Sequence, residues 1–183
     1  MTNRFIVIAG NIGVGKSTLV QKLAEHNNWQ PFYEEFEENP YLADFYDDMR
    51  RWSFHSQTYF LTRRLKQHHR LTQQAATVIQ DRSVYEDANI FGRNLFEQGD
   101  MSETDWNTYY DLYETIVEIL PAPQLVIYLQ ASTDTLLKRI AKRGRDYEQS
   151  IEASYLNQLN NLYERWVTDF KASPVLTLSL IHI

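Results

Sequence analysis

Arg4-Phe-Ile-Val-Ile-Ala-Gly10-Asn-Ile-Gly-Val-Gly15-Lys16-Ser17-Thr18 is the stretch whose reading decides the fold. The apolar run over 4–9 is unbroken and stops at glycine, which predicts a strand buried on both faces, as in a parallel sheet. From Lys16 to Glu25 the apolar residues Leu19, Val20, Leu23 and Ala24 recur with helical spacing. Between strand and helix lies Gly10-Asn11-Ile12-Gly13-Val14-Gly15-Lys16-Ser17, which fits G-x-x-x-x-G-K-[ST]. Chance alone would produce such a match in about one chain in a hundred of this length. The strand before it and the helix after it are the context that gives the match meaning. Glycines let backbone N–H groups turn inward around a phosphate, and the helix N-terminus adds partial positive charge. Lys16 can reach the β- and γ-phosphates of a nucleoside triphosphate, and Ser17 can place its hydroxyl on Mg²⁺.

Working outward, further strands are expected over 31–33, 76–80, 124–129 and 174–178. Helical patterns fill 39–48, 52–75, 85–97, 103–120, 133–143 and 150–170, with Ser102 a cap before acidic Glu103 and Asp105. This alternation predicts an α/β protein: three layers, one parallel sheet of about five strands flanked by helices. No repeat or linker divides the chain, so residues 1–183 are expected to form a single domain. The apolar end Leu178-Ser-Leu-Ile-His-Ile183 reads either as a last strand or as an end truncated or altered after about residue 177.

Composition narrows the classes. With 43% hydrophobic and 23% charged residues, the chain is neither disordered nor fibrous. Eighteen basic against twenty-four acidic residues give a net charge of −6, which argues against coating nucleic acid. The absence of cysteine excludes disulfides and thiolate chemistry. No apolar stretch approaches the roughly 18 residues of a membrane span, and no signal-peptide order opens the chain. A soluble, cytoplasmic protein with no nucleic-acid or membrane partner is the expectation.

The chemistry-bearing residues fall at strand ends. A GTP switch would carry D-x-x-G and N-K-x-D, and neither occurs. The strand before Asp81-Arg82-Ser83 ends instead in an acid and an arginine, which suits phosphoryl transfer to a second bound molecule because a guanidinium can steady the transferred charge. Glu34, after the second strand, is the candidate general base for an acceptor hydroxyl. Arg139, Arg143 and Arg145 lie where one helix ends and the next approaches, so they are candidates for a lid that closes over a triphosphate. Adjacent His68 and His69 do not face one way on a helix and are set aside as metal ligands.

Taken in order, the loop Gly-Asn-Ile-Gly-Val-Gly-Lys-Ser-Thr, Tyr33-Glu34 with Glu38-Asn39-Pro40, Arg51-Trp-Ser-Phe-His-Ser-Gln57-Thr-Tyr, Asp81-Arg-Ser-Val-Tyr-Glu-Asp87 and Lys142-Arg-Gly-Arg-Asp-Tyr-Glu148-Gln resemble the deoxyribonucleoside kinases, most closely the bacterial deoxyadenosine/deoxyguanosine kinases. The resemblance reaches to about Thr177. It implies a P-loop kinase fold with an arginine-rich lid, ATP and Mg²⁺ as cofactors, and a homodimer. It implies transfer of the γ-phosphate to the 5′-hydroxyl of a deoxynucleoside, deoxyadenosine or deoxyguanosine first. By the same resemblance Glu34 is the base on that hydroxyl, with Arg82 beside it and Asp81 in the magnesium network. Tyr46 and Glu148 hold the 3′-hydroxyl, Gln57, Arg64 and Asp87 read the base, Phe91 packs on it, and Arg139, Arg143 and Arg145 form the lid. Glu35-Phe36 departs from the Pro-Val of many relatives. The other readings are a thymidylate kinase-like nucleoside monophosphate kinase and a P-loop regulator that binds nucleotide without turnover.

Overall fold

The computed structural model describes residues 4–33, 39–145, 148 and 151–180. Among these residues, five strands form one sheet: β1 Phe5–Gly10, β2 Gln30–Phe32, β3 Val78–Asp81, β4 Leu125–Gln130 and β5 Val175–Ser179. Their order is β2-β3-β1-β4-β5, all parallel. β1 is central because it is the most apolar, with Val7, Ile8 and Ala9 fully buried. The chain leaves β1 toward β3 and β2 on one side and reaches β4 and β5 on the other. In such a sheet, ligands sit beyond the carboxyl ends of the strands where this order reverses. The register pairs Ile8 with Asp81 and Gly10 with Leu129, so the ends of β1 and β3 and the start of the phosphate loop share one edge.

The helices are α1 Lys16–Asn27, α2 Leu42–Asp47, α3 Met49–Thr72, α4 Val84–Glu86, a π-helical turn Asp87–Gly92, α5 Arg93–Glu97, α6 Glu103–Ile119, α7 Thr133–Arg143 and α8 Ala153–Asp169. They cover both faces of the sheet. Alternation along β1 sends Phe5, Val7 and Ala9 to one core, with Leu61, Tyr109, Leu159 and Tyr163, and Ile6 and Ile8 to the other, with Val20, Leu136 and Ile140. Each such aliphatic side chain contributes about 1.5–3 kcal/mol on burial, and these two layers fix where β1 ends.

The elements stand where the sequence places them, with differences at their bounds; α3 ends at Thr72 rather than at residue 75, and α8 begins at Ala153 rather than at 150. The strands are displaced by one or two residues; β3 begins at Val78 rather than at residue 76. The expected helix over 39–48 is confined to Leu42–Asp47. Asp48 then adopts a non-helical φ of −141° and caps α3 by accepting from the Arg51 N–H at 3.1 Å, so α3 starts three residues before the expected 52. The helix expected over 85–97 contains the π-helical turn. At its end Gly92 lies so near α6 that a Cβ there would stand 2.8 Å from the Tyr109 ring, and the wider turn brings that backbone close. Finally, Leu178 and Ser179 pair with Leu129 and Gln130, so the end of the described chain forms a strand as far as Ser179.

The apolar faces of 85–96 and 155–166 are largely used inside the chain, where Tyr85, Leu95, Leu159, Leu162, Tyr163 and Trp166 are core residues. Among the described residues, no helix is long and apolar enough to cross a membrane.

His68 shows how tightly α3 is packed. Its ring is 1% exposed and meets Phe5 edge-on at 5.0 Å between centroids. Burial lowers its pKa from 6.5 to about 4, against the smaller opposing effect of a hydrogen bond to the Pro121 backbone. The folded-state value is depressed, so the neutral ring's contribution is fully present above pH 6.5 and is lost as pH falls toward 4. The loss amounts to about 3 kcal/mol at most. Urea unfolding at pH 7 and pH 4.5 should show a smaller acid-induced loss for His68→Phe than for the parent chain. Equal losses would remove His68 as the cause.

Candidate active site

At the carboxyl edge of the sheet lies a cavity of about 880 Å³. It brings together Lys16 and Ser17 from the start of α1, Asp81 from the end of β3 and Arg82 just after it, Asp87 and Phe91 from the π-helical turn, Tyr46 from α2, Gln57 from α3, Arg143 from the end of α7, and Arg145 and Glu148 from the segment that follows. Residues spread over more than one hundred positions thus meet at one place. Glu34 lies outside the described residues; Tyr33, just before it in the sequence, lines the cavity.

The phosphate loop leaves β1 at Gly10, whose φ of 145° suits glycine and whose Cβ, if present, would stand 2.8 Å from the Leu129 carbonyl oxygen. Lys16 is buried, and its Nζ donates to the carbonyls of Gly10 at 2.9 Å and Asn11 at 3.2 Å. The ammonium is held over the loop by groups that an anion can replace. Asn11 fixes the loop from outside. Its Nδ2 donates to the Leu156 carbonyl at 2.9 Å and to Asn160 Oδ1 at 2.8 Å, while its Oδ1 accepts from the Ile12 N–H at 2.7 Å. Arg139 donates to the Val14 carbonyl at 2.6 Å, so it braces the loop and does not line the cavity. Thr18 is exposed on α1 and also lies off the cavity.

The Ser17 hydroxyl donates to Asp81 Oδ2 at 2.5 Å. Asp81 Oδ1 is buried and has no hydrogen-bond partner among the described residues. A hydroxyl and a carboxylate so placed, with a buried oxygen to spare, form a donor set that a hard divalent cation accepts. Arg82 follows with a φ of 62°, left-handed backbone that a residue with a Cβ adopts at a cost of about 1–3 kcal/mol. That turn swings its guanidinium into the cavity, 4.2 Å above the centre of the Phe91 ring.

Farther in, Arg64 and Asp87 form a buried ion pair, Nε to Oδ2 at 2.9 Å and Nη2 to Oδ1 at 3.4 Å. Arg64 stands behind Asp87, and only Asp87 lines the cavity. On the lid side, Glu148 is buried and accepts from Arg143 Nε at 2.9 Å, with Arg145 Nη1 at 3.6 Å. The two lid arginines that line the cavity therefore converge on the carboxylate assigned by resemblance to the sugar.

One participant escaped the sequence reading. Glu86 is fully buried, and its Oε1 accepts from the Gly10 N–H at 3.1 Å and its Oε2 from the Ser83 N–H at 3.0 Å. The Tyr163 hydroxyl shares its proton between Glu86 Oε1 at 2.8 Å and the Gly10 carbonyl at 2.9 Å. Burial pushes the Glu86 carboxyl up, against the lowering effect of the nearby Arg82 and Lys16 charges. Burial and the adjacent Glu86 push the Tyr163 phenol well above its ordinary value. The spacing Ser83-x-x-Glu86 is a capping box, which was the available signal for Glu86. Tyr163 is 153 positions from Gly10, and no sequence pattern marks it.

The chain is similar to known proteins over almost its whole length. The family model described as "Deoxynucleoside kinase" matches residues 6–181. The chain is 41% identical over 180 residues to a deoxyadenosine/deoxycytidine kinase of Bacillus subtilis, covering 97% of this chain and 83% of the relative. It is 37% identical to a deoxyguanosine kinase of the same organism, covering 97% and 85%. The solved structure of a deoxyadenosine kinase from M. mycoides, holding dCMP and dCDP as products, superposes with a TM-score of 0.83 at 35% identity, covering 95% of this chain and 89% of that one.

Tyr163→Phe should cost about 1–2 kcal/mol, because it leaves buried acceptors short of a donor. The drop should appear in the urea midpoint with an unchanged m-value. An unchanged midpoint would show that the hydroxyl does not hold the loop.

Proposed function

The chain belongs to the deoxynucleoside kinase family, and from that premise we propose that it transfers the γ-phosphate of ATP to the 5′-hydroxyl of a purine deoxynucleoside, deoxyadenosine first. Family membership sets aside the monophosphate-kinase and non-catalytic readings. The observation that carries the choice of substrate is the buried Asp87 carboxylate, backed by Arg64, in a cavity whose other end is the phosphate loop. A carboxylate only accepts hydrogen bonds, so it suits the exocyclic amine of adenine, and the Gln57 amide can donate to the adjacent ring nitrogen and accept beside it. Guanine presents an oxygen at the corresponding position, which would leave two acceptors opposed and costs affinity. Cytosine offers the same amine and ring nitrogen as adenine in a smaller outline. Deoxycytidine is therefore the second reading, in keeping with the names of the Bacillus relative and the M. mycoides ligands.

In the proposed reaction Glu34 accepts the 5′-hydroxyl proton as that oxygen bonds to the γ-phosphorus and the bond to the β–γ bridging oxygen breaks, releasing ADP. Lys16 and the loop N–H groups hold the β- and γ-phosphates. Arg82 stands at the joint between acceptor and donor, with Phe91 fixing it from below while packing on the base. Tyr46 and Glu148 orient the sugar through its 3′-hydroxyl, and Arg143 and Arg145 supply positive charge on the lid side. Arg139 acts through the Val14 carbonyl that it braces. Ser17 and Asp81 would hold Mg²⁺, which when bound neutralises charge on the phosphate oxygens. The transition state is loose, so these groups act by position and charge rather than by covalent chemistry. The proposal extends to a homodimer, supported by exposed Leu112 and Ile119 on α6, and sedimentation should give twice the chain mass.

Glu34→Gln should lower kcat by about 10²–10⁴-fold, the range for a general base, with deoxyadenosine KM little changed. An unaltered kcat under conditions where chemistry limits turnover would refute the role. A steady-state panel of the four deoxynucleosides with ATP should rank deoxyadenosine first. Asp87→Ala should flatten that ranking, and an intact ranking would remove Asp87 as reader.

A further inference from the structure

The phosphate loop is tied to the rest of the fold by a residue that no motif marks. Asn160 lies on α8 one turn after Leu156, on the same face of the helix. Buried Asn11, in the loop, gives its Nδ2 to both, to the Leu156 carbonyl at 2.9 Å and to Asn160 Oδ1 at 2.8 Å. Asn160 Nδ2 in turn donates to the carbonyl of Ala131 at 3.1 Å. Ala131 stands between the end of β4 and Ser132, the cap of α7. That helix reaches back over the loop, where Arg139 holds the Val14 carbonyl and a Cβ on Gly13 would stand 2.7 Å from Ile140. A single half-buried amide thus joins the loop, the end of β4 and α8, and none of Asn11, Ala131 and Asn160 lines the cavity.

We propose that Asn160 is a positioning residue for ATP binding: acting through Asn11, it fixes the direction of the Asn11 amide and so the path of the loop that receives the phosphates. This inference rests on the reading of that loop as the ATP phosphate site.

An amide has a donating end and an accepting end, and a flip exchanges them. Here the direction is set from outside the loop. The Ala131 carbonyl can only accept, so Asn160 turns Nδ2 toward it and Oδ1 toward Asn11. Asn11 answers with Nδ2, which leaves its Oδ1 for the Ile12 N–H at 2.7 Å. The carbonyl of the same residue accepts from the Val14 N–H at 3.3 Å and from Lys16 Nζ at 3.2 Å. The direction of one side chain thereby reaches the first turn of the loop and its ammonium. The Leu156 carbonyl favours the same direction, but one acceptor engages only one of the two Nδ2 hydrogens. Without Asn160 Oδ1 the second hydrogen loses its acceptor at a residue that is 2% exposed. A buried donor without a partner is costly, and the Asn11 amide regains one by turning toward water. That movement draws the Ile12 N–H and the Asn11 carbonyl with it. A smaller fraction of molecules then holds the loop ready, and the apparent ATP affinity falls by that fraction. Gln57 and Asp87, read as base contacts, stand on α3 and the π-helical turn, so nucleoside affinity does not follow.

Asn160→Leu keeps the volume and removes both polar ends. Its Kd for ATP, measured by titration calorimetry, should rise about fivefold, the scale of one lost hydrogen bond. The deoxynucleoside Kd and kcat at saturating ATP should be retained, whereas a general loosening of the fold would move both Kd values. Asn11→Ala should weaken ATP binding at least as much. Adding Asn160→Leu to it should weaken binding no further, because Asn160 acts through Asn11. An unchanged ATP Kd in folded Asn160→Leu, a parallel rise of the nucleoside Kd, or a loss that persists undiminished in the Asn11→Ala background would overturn the proposal. If Asn160→Leu does not fold, Asn160→Ala carries the same expectation and the same refutation. Lys16→Ala is measured alongside. If it leaves both the ATP Kd and kcat intact, the underlying reading of the loop has failed. If it impairs either and Asn160→Leu leaves the ATP Kd unchanged, only the role of Asn160 has failed.

Discussion

The peptide of Gly10 is the point on which the rest of the site depends. Its N–H is held by Glu86, and its carbonyl by Lys16 and Tyr163. The space where a side chain would stand is filled by the backbone of β4. Every later position in the loop is measured from that peptide. Were it to rotate, the following N–H groups would no longer turn inward, and Lys16 would lose a carbonyl that keeps its ammonium near the loop. The sheet supplies the rigidity this requires, since β1 is the central strand and is buried on both faces.

Placing a carboxylate beneath an anion site looks self-defeating. Burial is the larger effect and raises the Glu86 pKa overall, while the nearby Arg82 and Lys16 charges pull it the other way. Glu86 lies near both cations without lining the cavity. Glu86 also accepts from two backbone N–H groups that belong to different parts of the site, the start of the loop and the turn after Arg82. It therefore stabilises the strained Arg82 backbone and the loop together, so the cost of a left-handed non-glycine residue is met by bonds that the loop needs in any case.

What could be read from the sequence follows the range of the interaction. The phosphate loop is local: its glycines, Lys16 and Ser17 lie within eight positions, so spacing alone exposed it, and the strand and helix around it fixed the fold. The five strands were found with shifts of one or two residues, because apolar runs mark burial while strand ends are set by pairing with neighbours. Arg64 and Asp87 lie 23 positions apart, and only a family resemblance joined them before the structure did. Glu86 had a local signal in the capping-box spacing, though spacing says nothing of its reach to Gly10. Tyr163 had none, since one of its two partners is a backbone carbonyl, which carries no sequence identity, and the other, Glu86, lies 77 positions away. The π-helical turn was hidden for a similar reason: its apolar periodicity passes for that of an α-helix, and the cause is the approach of Tyr109 from another helix.

Between Asp81 and Phe91 a single segment carries the acid beside Ser17, the arginine proposed to stand between acceptor and donor, the carboxylate under the loop, the carboxylate proposed to face the base and the ring that packs beneath Arg82. These groups share one backbone. Its path includes a left-handed residue and a widened helical turn, both of which resist independent adjustment. A change that moves Asp87 must therefore also move Phe91 and the Arg82 resting on it at 4.2 Å. In the proposed reaction, selectivity for the base and stabilisation of the transferred phosphate are thereby coupled through geometry. Substitutions within this segment belong to the class whose energies fail to add.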